Sequence, residues 1–119
     1  MEIWLNPDCQ KCRTAIATLD EAGIDYTVRR YLDDAPTPTE LAEVLDRLGL
    51  EPWDIARAKE AKEEGIDLPR TSGSRDAWLE ALAAHPRAIQ RPIITAADGT
   101  TVVGRDPDAL AEVVAAETS

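Results

Sequence analysis

The residues of this chain best equipped for chemistry are two thiols three positions apart, Cys9 and Cys12. They follow the short apolar run Ile3-Trp4-Leu5 and the turn pair Asn6-Pro7, and they precede a stretch of helical spacing. A thiol just ahead of a helix meets unpaired backbone N–H groups and the positive end of the helix dipole, and both favour thiolate. The same N–H groups make an anion site. One helical turn separates the two sulfurs, so a disulfide there needs little movement. By that geometry Cys9 is the exposed nucleophile and Cys12 the resolving or spectator thiol. Lys11 and Arg13 add positive charge beside them, and Asp8 opposes it. One C-x-x-C with a single distant histidine, His85, cannot close a four-ligand zinc site, and no metal is expected.

Chemistry on an anion also needs guanidinium groups, which clamp oxyanions bidentately. Ten of the 13 basic residues are Arg. Most of them read as solvated surface charge, but Arg91 stands out because Pro92 follows it at the start of an apolar strand. In a fold that begins with the β-α-β pattern described next, the pair entering the third strand faces the thiol turn, so Arg91 is expected to point at the loop of Cys9.

The elements that must position these residues follow from periodicity. Ile3-Trp4-Leu5 is a strand; Ala15, Ile16, Leu19 and Ala22 recur at helical spacing from about Lys11 and stop at Gly23; and Tyr26 to Tyr31 alternates as a second strand. A β-α-β unit therefore carries the thiols at its first strand-to-helix turn, where C-x-x-C is a redox signal. The middle is helical. Thr37-Pro38-Thr39-Glu40 sets an N-cap, a proline at the first helical position and a capping-box glutamate ahead of Leu41, Val44, Leu45 and Leu48. A short helix is expected from Pro52 to about Ala58, then a polar mixed-charge piece to Gly65, a break at Ser72-Gly73-Ser74, and a helix through Trp78 and Leu82 to His85-Pro86. Asp98-Gly99 between Pro92-Ile93-Ile94-Thr95 and Thr101-Val102-Val103 predicts a hairpin. Asp106-Pro107 then opens a last helix through Leu110, Val113 and Val114. The order is α/β and thioredoxin-like: a β-α-β half and a β-β-α half around a central mixed sheet of about four strands, with a helical insertion between them.

Composition bounds the rest. At 119 residues the chain is expected to form a single domain over residues 1–119, with a core built on Leu, Ile, Val and Ala because Phe is absent. Its formal net charge of −10 argues against binding nucleic acid, which needs a surplus of Lys and Arg. Apolar runs are too short to span a membrane, the opening Met1-Glu2-Ile3-Trp4 lacks the features of a signal peptide, and two thiols suit the reducing cytosol, so a cytoplasmic location is expected.

Three segments together resemble a known family. Asn6-Pro7-Asp8-Cys9-Gln10-Lys11-Cys12-Arg13, then Gln90-Arg91-Pro92-Ile93-Ile94, then Gly104-Arg105 are similar to the ArsC family, which includes glutaredoxin-coupled arsenate reductases and the Spx transcription regulators. The likeness runs from about Ile3 to Val114. It implies that Cys9 is the nucleophile, that Arg13, Arg57, Arg91 and Arg105 bind the oxyanion, and that Pro92 is a cis-proline. It further implies no bound cofactor, an external thiol such as glutathione as reductant, arsenate or a similar oxyanion as substrate and a glutaredoxin-type protein as partner. The chain departs from the reductase pattern in three places. Leu5 stands where a histidine is common, Asp8 where a small or neutral residue is usual, and Cys12 where several reductases have serine. C-x-x-C at this place is typical of Spx, so the resemblance also implies an alternative: a redox-sensing regulator that binds RNA polymerase through a Cys9–Cys12 switch. A third implication is a glutathione-dependent oxidoreductase acting on protein disulfides.

Overall fold

A computed structural model describes residues 1–118 of the chain. Its contacts divide it into two compact units, Met1–Tyr31 with Arg91–Ser119, and Leu32–Gln90.

The first unit holds a four-stranded sheet in the order β2-β1-β3-β4, where β1 is Glu2–Leu5, β2 Thr27–Arg30, β3 Ile93–Thr95 and β4 Thr101–Val103. β1 and β2 run parallel, with Ile3 opposite Val28 and Leu5 opposite Arg30; β1–β3 and β3–β4 are antiparallel. A parallel neighbour requires a crossover, and helix α1 (Gln10–Glu21) supplies it. Its Cys12, Ala15 and Leu19 recur at three- and four-residue spacing and are buried. They form one core with Ile3 and Leu5 of β1, Ile94 of β3, Val102 of β4, and Leu110 and Val113 of helix α5 (Pro107–Thr118). The β3–β4 turn closes as the sequence predicts. Ala96 N–H bonds to Thr100 O at 2.8 Å, Asp98 Oδ1 accepts from Thr100 N–H at 2.9 Å, and Gly99 takes φ +94°, which favours glycine. Asp106 caps α5 by accepting from Ala109 N–H at 2.8 Å.

The second unit is the helical insertion. The full capping box is formed on α2 (Pro38–Leu48): Thr37 Oγ1 accepts from Glu40 N–H at 3.1 Å, and Glu40 Oε1 accepts from Thr37 N–H at 3.0 Å. Leu41, Val44 and Leu45 of α2 and Trp78, Leu79 and Leu82 of α4 (Arg75–Ala84) supply its buried faces. Trp53 stacks obliquely on Trp78, ring centres 6.3 Å apart, while Trp78 Nε1 donates to Pro69 O at 2.8 Å.

Two expectations are corrected here. Pro52–Ile55 is a single 3-10 turn rather than a helix reaching Ala58, because Ala56 leaves it to bridge Ile89 and Gln90 N–H takes the Ile55 carbonyl at 2.7 Å. The mixed-charge piece that follows is itself helical, α3 (Ala58–Glu63), and Arg57 is its N-cap residue rather than the end of a preceding helix. No helix among the described residues is long and apolar enough to cross a membrane.

Candidate active site

The turn between β1 and α1 is built by Asn6. Its carbonyl accepts Cys9 N–H at 3.0 Å and its side-chain Oδ1 accepts Asp8 N–H at 3.0 Å, the local bonding that makes Asn a turn residue. The chain emerges with Cys9 as the N-cap of α1, extended at φ −91° and ψ 127°. No side chain makes a tight cap bond there and no acidic residue occupies the first turn, so the helix terminus keeps its positive character for whatever lies over it.

What lies over it is the Cys9 sulfur. Partial burial alone would raise this thiol. The Cys12 backbone N–H, the Arg91 guanidinium, the Cys12 thiol and the Lys11 N–H outweigh that effect and bring it from an ordinary 9.0 down to about 7. Cys12 behaves oppositely. It is 1% exposed, and burial together with the neighbouring Cys9 charge pushes its thiol up to about 11, although Asn6 N–H lies 3.5 Å from its sulfur and partly offsets the rise. No disulfide joins the two cysteines, and their side chains interact directly. The pair is thus one half-exposed sulfur ionised near neutrality and one buried sulfur kept protonated.

Arg91 reaches this pair from the loop ahead of β3. Its guanidinium interacts with both the Cys9 sulfur and the Tyr31 hydroxyl, and its peptide bond to Pro92 is cis. Its carbonyl accepts from Arg105 Nη1 at 2.7 Å, so the segment after β4 is tied to the segment before β3. Gly104 makes this approach feasible. Its N–H bonds to Pro92 O at 2.8 Å, and a Cβ on it would stand 2.7 Å from Ile94 Cδ1. Cys9, Cys12, Arg91, Pro92 and Arg105 are therefore gathered in one region of the first unit.

The other two arginines lie elsewhere on their units. Arg13 is exposed on α1 and lines a groove of about 330 Å³ with Leu5, Pro7, Cys12, Ile16 and Arg30 among others. Arg57, in the second unit, is half-buried: its N–H bonds to Ala88 O at 2.7 Å and its Nε stands 3.2 Å from Glu60 Oε2. Two contributors escaped the sequence reading. Tyr31 gave one signal, since period-two alternation sets it on the face of Arg29 rather than that of Val28. Asn6 gave none beyond its place in the turn. Among the described residues no group of three or more His, Cys, Asp or Glu gathers as a metal site.

A model of the ArsC family matches residues 4–113. The chain belongs to the ArsC family. A Streptomyces viridochromogenes relative named "Uncharacterized protein in glnII region" is 58% identical over 96% of this chain and 98% of its own. The "Arsenate reductase" of Neisseria meningitidis serogroup A is 40% identical over 88% of this chain and 90% of that protein. The solved "Arsenate reductase from Vibrio cholerae" superposes with a TM-score of 0.83 at 36% identity, covering 95% and 98% of the two chains. The α/β fold of this ArsC chain, a mixed four-stranded sheet with helices, is thioredoxin-like, as expected from the element order. Within the ArsC framework, Leu5 is a buried core residue at the end of β1, so no imidazole stands there to serve the thiol; Asp8 is exposed to solvent, which screens its charge.

Proposed function

We propose that this ArsC-family chain is a thiol-dependent oxidoreductase that reduces arsenate to arsenite, with Cys9 as nucleophile. The observation that carries the reading is the Cys9 sulfur itself: half-exposed at a helix N-terminus, beside the Arg91 guanidinium, and about half ionised at pH 7. A small oxyanion meets there the positive end of α1 and a guanidinium. In this reading Arg91 and Arg105 hold it.

The thiolate attacks arsenic and displaces an oxygen, which leaves as water after taking up protons; the product is a covalent Cys9–arsenate adduct. An external thiolate then attacks the Cys9 sulfur. The S–As bond breaks with its electron pair going to arsenic, which leaves as arsenite, and a mixed disulfide remains on Cys9. A glutaredoxin-type dithiol attacks that disulfide and returns the Cys9 thiolate. An external thiol suits the second step better than Cys12, whose sulfur is buried and held protonated up to about 11. No bound cofactor enters the cycle, and its reducing partners belong to the cytoplasm.

The test is arsenate reduction with glutathione and a glutaredoxin. The wild-type chain turns over and Cys9→Ser does not; turnover that survives in Cys9→Ser rejects the assignment. One observation favours the alternative regulator: the Cys9 and Cys12 side chains interact directly, one helical turn apart, as a Cys9–Cys12 switch requires. A chain inert to arsenate that binds the RNA polymerase α subunit only when oxidised establishes that reading instead.

A further inference from the structure

The Arg91 side chain is long and flexible, and a guanidinium left to itself spends its time in solvent rather than over a thiol. Its backbone carbonyl accepts from Arg105, a bond that acts on the main chain and not on the guanidinium. The guanidinium also meets Tyr31, the residue directly after β2 and 1% exposed. A tyrosine hydroxyl taken out of water costs free energy unless a partner is supplied, and Phe would fill the same volume without that requirement. Here the guanidinium of Arg91 is a partner for that hydroxyl, while it also meets the Cys9 sulfur.

We propose that Tyr31 is a positioning residue for Cys9: its buried hydroxyl accepts from the Arg91 guanidinium and fixes that group against the Cys9 sulfur. The inference deepens the proposed function and rests on Cys9 being the reacting sulfur. Tyr31 touches neither the sulfur nor an incoming anion in this account; it acts through Arg91 alone. Three segments distant in sequence then share one task. The β1–α1 turn presents the thiol, the loop before β3 brings the charge, and the end of β2 holds the charge in place.

The experiment follows the rate of Cys9 alkylation by iodoacetamide in reduced, full-length protein from about pH 5 to about pH 10, using wild type, Tyr31→Phe, Arg91→Met and the double variant. No arsenate is involved, so the result stands apart from turnover: a chain inert to arsenate defeats the proposed reaction and leaves this outcome readable. The wild-type midpoint is expected at about 7. Removing an opposite charge in contact raises it by about one pH unit or more in Arg91→Met. Tyr31→Phe is expected to reproduce at least half of that rise, and the double variant to rise no further than Arg91→Met, because both changes remove one interaction. An unshifted Tyr31→Phe midpoint in a folded variant overturns the proposal, as do shifts that add in the double variant. Should Tyr31→Phe fail to fold, nitrogen-15 NMR of the wild-type Arg91 guanidinium decides. Distinct, slowly exchanging Nη protons are expected, and a single freely rotating signal refutes the anchoring.

Discussion

Alkylation of the folded chain at neutral pH separates the two thiols sharply, and the size of the effect can be worked out. At pH 7, with the Cys9 thiol at about 7 and the Cys12 thiol at about 11, the thiolate fractions are about one half and about one in ten thousand. Ionisation alone favours Cys9 by about 5,000-fold. The more basic thiolate is the better nucleophile, and a Brønsted slope of about 0.4–0.5 over about four pH units returns about 40- to 100-fold of that advantage to Cys12. About 50- to 130-fold remains, before the near-complete burial of Cys12 slows it further. With excess iodoacetamide, intact-mass spectrometry should show one adduct forming to completion, and peptide mapping should place it on Cys9. Unfolding in denaturant removes the environments that separate the two sulfurs, and both should then react at similar rates. Raising the pH speeds Cys9 only until its thiolate is fully formed, so its rate climbs through about 7 and levels off well below the range where Cys12 ionises. Two adducts appearing within about tenfold of each other in the folded protein at pH 7 would refute the reasoning.

Two predictions concern the scaffold. Gly104→Ala places a Cβ 2.7 Å from Ile94 Cδ1, 3.1 Å from Leu110 Cδ2 and 3.4 Å from Pro92 Cγ, all on buried residues, and should cost about 1–3 kcal/mol in chemical denaturation. An unchanged midpoint would mean the core yields more readily than these distances imply. Thr37→Ala removes the acceptor for Glu40 N–H and should lower stability by about 1 kcal/mol, read from the urea midpoint at unchanged slope.

The elements legible from sequence were those whose signal is local. The Thr37/Glu40 box, the Asp98-Gly99 turn and the Asp106-Pro107 cap each satisfy their own backbone groups within a few residues, and each formed as written. The thiol turn was legible for the same reason, because Cys9 and Cys12 sit beside a helix terminus that their own segment creates. The misread stretch, residues 52 to 63, is shaped by partners far along the chain. Ala56 is drawn out of helical geometry by Ile89, and α3 carries a mixed-charge sequence with no apolar period, helical through the propensity of Ala, Lys and Glu. Arg91 was singled out by the proline that follows it. Tyr31 was passed over because its role depends on one long-range contact with Arg91, which no spacing rule encodes.

The outer edge of β2 is the sheet's most open flank. It is four residues long, and three of the four are exposed, among them Val28 at 43%. An unpaired backbone edge beside an apolar side chain invites another molecule to add a strand and grow a stack. Here Arg29 and Arg30 close the segment, Arg29 laid over the Trp4 ring at 5.4 Å. Side chains leave a strand from alternate faces, so Arg29 and Arg30 set one positive charge on each face beside this edge. Charge on an edge strand disfavours its pairing with a further strand, and replacing both arginines with neutral residues is expected to weaken that guard.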